Sequence, residues 1–421
     1  MKKKRKLVLM GMLTIAIALV MGLTSLPGIA ESKASITEDD GCTQFIIVGR
    51  PSWDFKNRGG GTSDTVPESW KAIRLVMNEE TGIKVLCEVR VGSTKGQLNS
   101  YGVTRKGGAR PGPVGSVHKC GGWTDANEGF LLEWGYMKAD YPDAKAPALN
   151  YVFEHARSAR EAVDMFVKTI PEGTYEITIV KDAALAHSNF FLSPSGLLQP
   201  FNIRKEYSEN RAERVQELLD ERSWLKSTAA RGEISTAYLF SVLRDHRFEF
   251  DAGATYDHDN RGNISRWGSI ERTRAGIIFE IPKDYTDLLS IYFTTPNWPL
   301  TSPFLPFYIG ITEVPKTLAE GPTNESGVFQ ELFNAVSYNL ESLDEVQAFW
   351  EAFDHNTIRD KVQLEKAIVK LVDAGNREEA EKLLTEFCND RCELAVVYAK
   401  ALTKEIVSRG IIEVDISVYV P

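Results

Sequence analysis

The spacing of apolar residues changes once along this 421-residue chain, after Pro322, and that change sets the broad fold class. Before it, runs with period-two alternation and β-branched residues at 44–48, 84–91, 175–180, 275–281 and 288–294 predict strands. Between them lie three helical patterns. The first, 149–170, is amphipathic and stopped by Pro171 and Gly173. The second starts at Ser208 as N-cap and carries Val215, Leu218 and Leu219 inward. The third, 235–246, carries Leu239, Val242 and Leu243. Arg58-Gly59-Gly60-Gly61 reads as a glycine-rich loop, and 99–122 as a long surface loop. After Pro322 the pattern predicts three helices, 328–353, 358–372 and 378–407, with Lys/Glu-rich outer faces, and a last strand at 411–420. The helical hairpins look like those of repeat proteins, but no fixed period is present. The expectation is a mixed α/β (α+β) body over 42–322 followed by a helical C-terminal unit over 323–421.

The N-terminus predicts export. Lys2-Lys3-Lys4-Arg5-Lys6 is a basic leader to an apolar stretch, 7–23, and Gly28-Ile29-Ala30 supplies small residues for cleavage after Ala30, so 1–30 reads as a signal peptide. The stretch is slightly short of the roughly 20 residues of a membrane span. An uncleaved anchor is the alternative, and the only membrane contact expected. Asp39-Asp40-Gly41 before Cys42 is acidic and too far from the apolar core for a lipoprotein signal. Residues 31–41 read as an acidic pro-segment. With net charge −9 and no Lys/Arg cluster beyond the signal, nucleic acid is excluded as a partner.

Cys42 follows that pro-segment and opens an extended apolar run, Thr43-Gln44-Phe45-Ile46-Ile47-Val48. A cut between Gly41 and Cys42 would put a thiol and a free α-amine on one residue. An α-amine ordinarily titrates near 8 and a cysteine thiol near 8.5, both about neutral. The amine can therefore take the thiol proton and return it to a leaving group. Five cysteines in an exported chain, Cys42, Cys87, Cys120, Cys388 and Cys392, leave one over if the other four form two bridges. Cys388 and Cys392, at helical spacing, read either as a disulfide or as two buried thiols on one face. Neither cysteine pair has histidines at zinc-ligand spacing, and no metal or organic cofactor is implied.

A Cys-Thr opening a strand, then His187-Ser188-Asn189-Phe190-Phe191, Ser208-Glu209-Asn210-Arg211 and Leu243-Arg244-Asp245-His246 in that order, resemble the N-terminal nucleophile (Ntn) hydrolases. The resemblance is to the isopenicillin-N acyltransferase and penicillin V acylase-like amidases. Thr301-Ser302-Pro303-Phe304-Leu305-Pro306-Phe307-Tyr308-Ile309-Gly310, followed by Val314-Pro315, is similar to a segment of the related cysteine dipeptidases. The resemblance runs thinly from Cys42 to Pro315 and implies a four-layer αββα sandwich with a C-terminal helical extension. It implies Cys42 as nucleophile, Asn189 as an amide donor to the oxyanion, and Arg58 and Asp64 as groups that orient the α-amine or contact the substrate. Relatives carry a compact Asp-Gly turn and an Arg-Asn-x-Asp run, whereas here three glycines separate Arg58 from the segment of Asp64.

The implied activity is cleavage, or acyl transfer, of a small linear amide through a Cys thioester. A dipeptidase, and a non-catalytic exported binding protein with Cys42 bridged or unprocessed, are the alternatives. Other residues have plainer readings. Asn189 also suits a turn, His187 a structural hydrogen bond, and Arg211 and Arg214 a solvated helix face. The aromatics between Tyr292 and Tyr308 suit strand packing or an acyl cleft. Asp257, His258, Asp259 and Asn260 lack the spacing of a calcium loop. Asn263-Ile264-Ser265 and Asn324-Glu325-Ser326 fit the glycosylation sequon.

Overall fold

Strand β1 (Gln44–Val48) is buried along its whole length, and its alternate side chains leave on opposite faces. Phe45 and Ile47 join one apolar cluster, while Ile46 and Val48 join another with Leu131 and Val180. A strand apolar on both faces needs cover on both, and the computed structural model supplies it with two antiparallel sheets. It describes residues 42–65, 72–90, 93–109, 115–143, 149–188, 190, 192, 198, 205–223, 232–246, 263–265, 272–319 and 325–409.

The first sheet has six strands, in the order β10 (Ala183–His187), β1, β2 (Asn57–Thr65), β11 (Arg272–Ile281), β12 (Ile291–Thr294) and β13 (Leu305–Tyr308). Every neighbouring pair in it is antiparallel. The second is a seven-stranded meander in chain order: β3 (Ala72–Met77), β4 (Lys84–Arg90), β5 (Ser93–Asn99), β6 (Thr104–Ala109), β7 (Ser116–Thr124), β8 (Gly129–Met137) and β9 (Tyr175–Val180). Ile46 and Val48 of the first sheet meet Leu131 and Val180 of the second.

Away from that contact, each sheet carries helices. Trp123, Phe130, Leu132 and Trp134 pack against Phe153 of α1 (Leu149–His155) and Val163 and Phe166 of α2 (Ala159–Val167). The Trp134 and Phe166 rings meet edge to face at 5.1 Å. Phe45 and Ile47 share their cluster with Val215 and Leu219 of α3 (Lys205–Arg222) and Leu239 and Leu243 of α4 (Thr236–Leu243). The one-turn α5 (Thr286–Leu289) adds Leu288. Leu332 of α6 (Gly327–Tyr338), Trp350 of α7 (Leu343–Asp373) and Leu384 of α8 (Arg377–Ser408) belong to that cluster too. The C-terminal helices thus share a core with the six-stranded sheet.

Several expectations need correction. Arg58-Gly59-Gly60-Gly61 is part of β2, not a loop. A Cβ on Gly60 would overlap the Ile277 carbonyl oxygen and approach Phe45 Cζ to 2.9 Å, so glycine here allows close strand approach. The expected surface loop at 99–122 contains β6 and most of β7. Its glycines make room for Arg105, whose guanidinium lies 5.7 Å from the Trp123 ring centroid. A Cβ on Gly121 would come within 2.9 Å of Arg105 Nε.

The predicted helix 149–170 is two helices, because Ser158 accepts a bond from the Glu161 N–H and caps the second. The second predicted helix begins at Lys205, before Ser208. Ser235 does cap α4. Part of the predicted strand 288–294 is the helical turn α5. The first C-terminal break falls near Asn339, and α7 runs unbroken through 353–358, where Asp354 and Thr357 are buried. The expected strand 411–420, signal peptide and pro-segment lie outside the described residues. No helix among the described residues is long and apolar enough to cross a membrane.

Gly60→Ala is expected to lower stability by about 1–3 kcal/mol or more through overpacking. Gly327→Ala, where nothing lies within 4 Å of the added carbon, is expected to leave stability unchanged or raise it by up to about 1 kcal/mol. Urea midpoints of the two variants measure the contrast.

Candidate functional site

Cys42 lies two residues before the start of β1 and is 2 % exposed. The pairing with β2 continues to Thr43, and the alternation of β1 carried back along it puts Thr43 on the side of Phe45 and Cys42 on the side of Gln44. Thr43 is held from both neighbouring elements. Its N–H donates to Thr62 Oγ1 at 3.1 Å, and its carbonyl accepts the Thr62 N–H at 2.8 Å. From α3, Arg211 Nη1 donates to Thr43 Oγ1 at 3.3 Å and to Asp64 Oδ2 at 3.1 Å. Asp64 Oδ1 accepts the Thr273 hydroxyl at 2.7 Å. Asp64 and Arg211 are almost fully buried, and a buried ion pair persists only with such further hydrogen bonds. The solvated reading of Arg211 is therefore corrected: it joins Asp64 to the residue after Cys42. Arg214, one turn on, pairs with Asp245 at 2.7 Å and is partly exposed.

On the Cys42 side of β1, a second chain of hydrogen bonds runs between the sheets. His187 Nε2 lies 3.1 Å from Glu133 Oε1, which also accepts the Leu192 N–H at 2.8 Å. With Nε2–H donating to that carboxylate, Nδ1 is left as acceptor, and Gln44 Nε2 lies 3.0 Å from it. Gln44 Nε2 also donates to Cys120 Sγ at 3.1 Å. Cys120 Sγ donates to the Ser188 carbonyl at 3.8 Å, and Ser188 Oγ donates to the Cys42 carbonyl at 3.2 Å. His187 is thus a hydrogen-bonding link, stacked on Phe190. Asn189 lies outside the described residues, as do Asp257, His258, Asp259 and Asn260.

Arg58 is not brought to Cys42. It stands six residues from Asp64 along β2, about 20 Å at a strand's rise of roughly 3.3 Å per residue. There Arg58 binds both carboxylate oxygens of Asp54, at 2.9 and 3.0 Å, with Glu280 at 3.3 Å. Lys56 and Lys361 each reach Glu280 Oε1 at 2.6 Å and Glu365 at 3.0 and 2.9 Å. Burial would raise the Glu280 carboxyl, but Lys361, Lys56 and Arg58 outweigh it and hold the group well below the usual carboxylate range. This cluster ties β2 and β11 to α7.

All five cysteines are buried and none is in a disulfide, which corrects the expectation of two bridges. Cys87 and Cys120 stand three strands apart, about 14 Å at roughly 4.8 Å per strand, beyond the roughly 7 Å a disulfide spans. Cys388 and Cys392 are separate thiols on α8. Burial pushes Cys87 and Cys388 up to about 12 and Cys392 well above its ordinary value. Arg244 donates to the Pro299 and Ser302 carbonyls and pairs with Asp354 at 2.7 Å. Tyr292, Phe293, Phe304, Phe307 and Tyr308 are core residues. Asn263 is buried and inaccessible to glycosylation, and Asn324 lies outside the described residues. Among the described residues no three His, Cys, Asp or Glu side chains form a metal-ligand cluster.

Sequence reasoning named Arg211 but read it as solvated, and it missed Gln44, Glu133 and Thr273, which carried no signal of a site. No family model matches the sequence, and no curated protein matches it.

Two outcomes are expected. Iodoacetamide added to denatured, unreduced protein should label five thiols by mass, whereas native protein at neutral pH should leave Cys87, Cys388 and Cys392 unlabelled, since alkylation needs the thiolate. Glu280→Gln is expected to cost about 3–5 kcal/mol at neutral pH, because it removes one partner of a buried charge cluster. The depressed Glu280 carboxyl contributes stability above its ordinary value of 4.5 that is lost as pH falls through the folded value. Denaturant titrations from pH 7 downward should show a shallower acid-side slope in the variant than in the wild type.

Proposed function

We propose that the chain is an exported cysteine hydrolase of the N-terminal nucleophile type, built on the four-layer αββα sandwich of that class. The observation that carries the reading is the placement of Cys42 at the head of β1, with Thr43 fixed by Thr62 and by the buried Arg211–Asp64 pair. A nucleophile must be held still relative to its base and its oxyanion donors. Here the backbone that follows the Cys42 Cα is anchored twice, through the Ser188 bond to the Cys42 carbonyl and through Thr43.

In this reading a cut after Gly41 frees the α-amine, which accepts the Cys42 thiol proton as sulfur attacks the amide carbonyl. The tetrahedral oxyanion is held by Asn189 and a backbone N–H. The C–N bond then breaks, the amine leaves with the proton from the α-ammonium, and a thioester remains. Water attacks the thioester, its proton passing through the α-amine to the departing thiolate, and the acid is released. Asp64 fixes the segment that carries the α-amine by way of Arg211 and Thr43. Cys42 is in no disulfide, which supports this reading over a binding protein with Cys42 bridged; the unprocessed form is the rival that terminal sequencing tests.

Active protein is expected to begin at Cys42 on terminal sequencing. An active form that keeps residues 31–41 would sink the mechanism, because its base would be tied up in a peptide bond. Cys42→Ala should abolish amide turnover. Asn189→Ala should lower kcat by about 10²–10³ with little change in KM or Tm.

A further inference from the structure

Gln44 is 2 % exposed, and both donors of its side-chain amide are directed: one to Cys120 Sγ at 3.1 Å, the other to His187 Nδ1 at 3.0 Å. The remaining polar atom, Oε1, is buried with no hydrogen-bond partner. The amide orientation assigned here matches the polarity of its neighbours. In the neutral His187 tautomer with Nε2–H donating to Glu133, Nδ1 accepts. The Cys120 S–H donates to the Ser188 carbonyl, and its sulfur accepts from Gln44. A flipped amide would set oxygen against both acceptors.

Buried carbonyls are nearly always paired, and an orphan one needs a reason. Gln44 opens β1 two residues after Cys42, about 7 Å along an extended backbone. We propose that Gln44 Oε1 receives an N–H or O–H donor of the substrate, so that the protein selects amides whose acyl part carries a donor beside the scissile carbonyl, such as aminoacyl or N-acylaminoacyl compounds, over plain alkanoyl or arylalkanoyl amides. The Glu133–His187–Gln44–Cys120 chain holds that acceptor in place. This inference rests on the hydrolase reading above and adds its substrate class.

The test uses three fluorogenic anilides of aminomethylcoumarin that share one side chain: phenylpropanoyl, with no donor; N-acetylphenylalanyl, with a neutral N–H; and phenylalanyl, with an ammonium. Wild-type protein starting at Cys42 should favour both donor-bearing compounds over the phenylpropanoyl one by about tenfold or more in kcat/KM. Gln44→Met should bring those ratios towards one. Gln44→Glu retains the volume and an acceptor, and should shift preference from the N-acetylphenylalanyl to the phenylalanyl compound. This second variant keeps the test open if the first fails to fold. Equal cleavage of all three by the wild type, or ratios unmoved in either folded variant, would overturn the role of Gln44 while leaving the Cys42 chemistry standing. A protein that starts at Cys42 and cleaves none of the three would overturn the inference together with the reading beneath it.

Discussion

Burial of β1 on both faces requires one layer for Phe45 and Ile47 and another for Ile46 and Val48, and the register of the six-stranded sheet follows from it. A slip of one residue would exchange the two sets and present Gln44 to the helices and Thr43 to the facing sheet. Register is further pinned by the glycines of β2. Gly60 lies against Phe45 and Ile278, and Gly61 against the Thr43 carbonyl, places where no side chain fits. The strand that buries the core therefore also fixes where Cys42 begins.

The same strand pair separates two kinds of buried charge. At the Arg58 end of β2, two lysines and an arginine face Glu280, Glu365 and Asp54. Such a cluster is weak as a source of net stability but severe when broken, so it acts to specify how α7 sits on the sheet. At the other end, Asp64 and Arg211 form a single pair completed by Thr43 and Thr273. Here the bonds reach the backbone beside a thiol, and the result is a fixed residue where chemistry is proposed.

How much of this the sequence disclosed depended on whether the deciding contact was local. Ser235 as the cap of α4 and the alternation of β1 were legible, because a cap and a period-two pattern are short-range signals. Glycine was misread in β2, β6 and β7, since a residue without a Cβ marks a turn and a close approach equally well. The break at Ser158 was read through, one polar residue being too little to interrupt a 3.6-residue period. Arg211 reads as solvated because its partner Asp64 is 147 residues away. Gln44 gave no signal at all. Its meaning lies in His187, Cys120 and Glu133, which only the folding of two sheets brings together.

Those long-range bonds also sort the thiols. Cys87, Cys388 and Cys392 are surrounded by apolar side chains that disfavour the thiolate, so they behave as small hydrophobic groups. Cys120 is engaged on both sides, accepting from Gln44 and donating to Ser188. Cys42 differs in position. It alone stands just before a strand, with its own carbonyl held by Ser188 and the next residue held by Arg211, so a cut before it would create an α-amine on a residue whose C-terminal side is already ordered. In the proposed reaction, a backbone ordered in advance would lower the entropy cost of holding nucleophile and base in place. In this chain the buried pair Asp64–Arg211 supplies that order from one face of β1 and the Gln44 chain supplies it from the other.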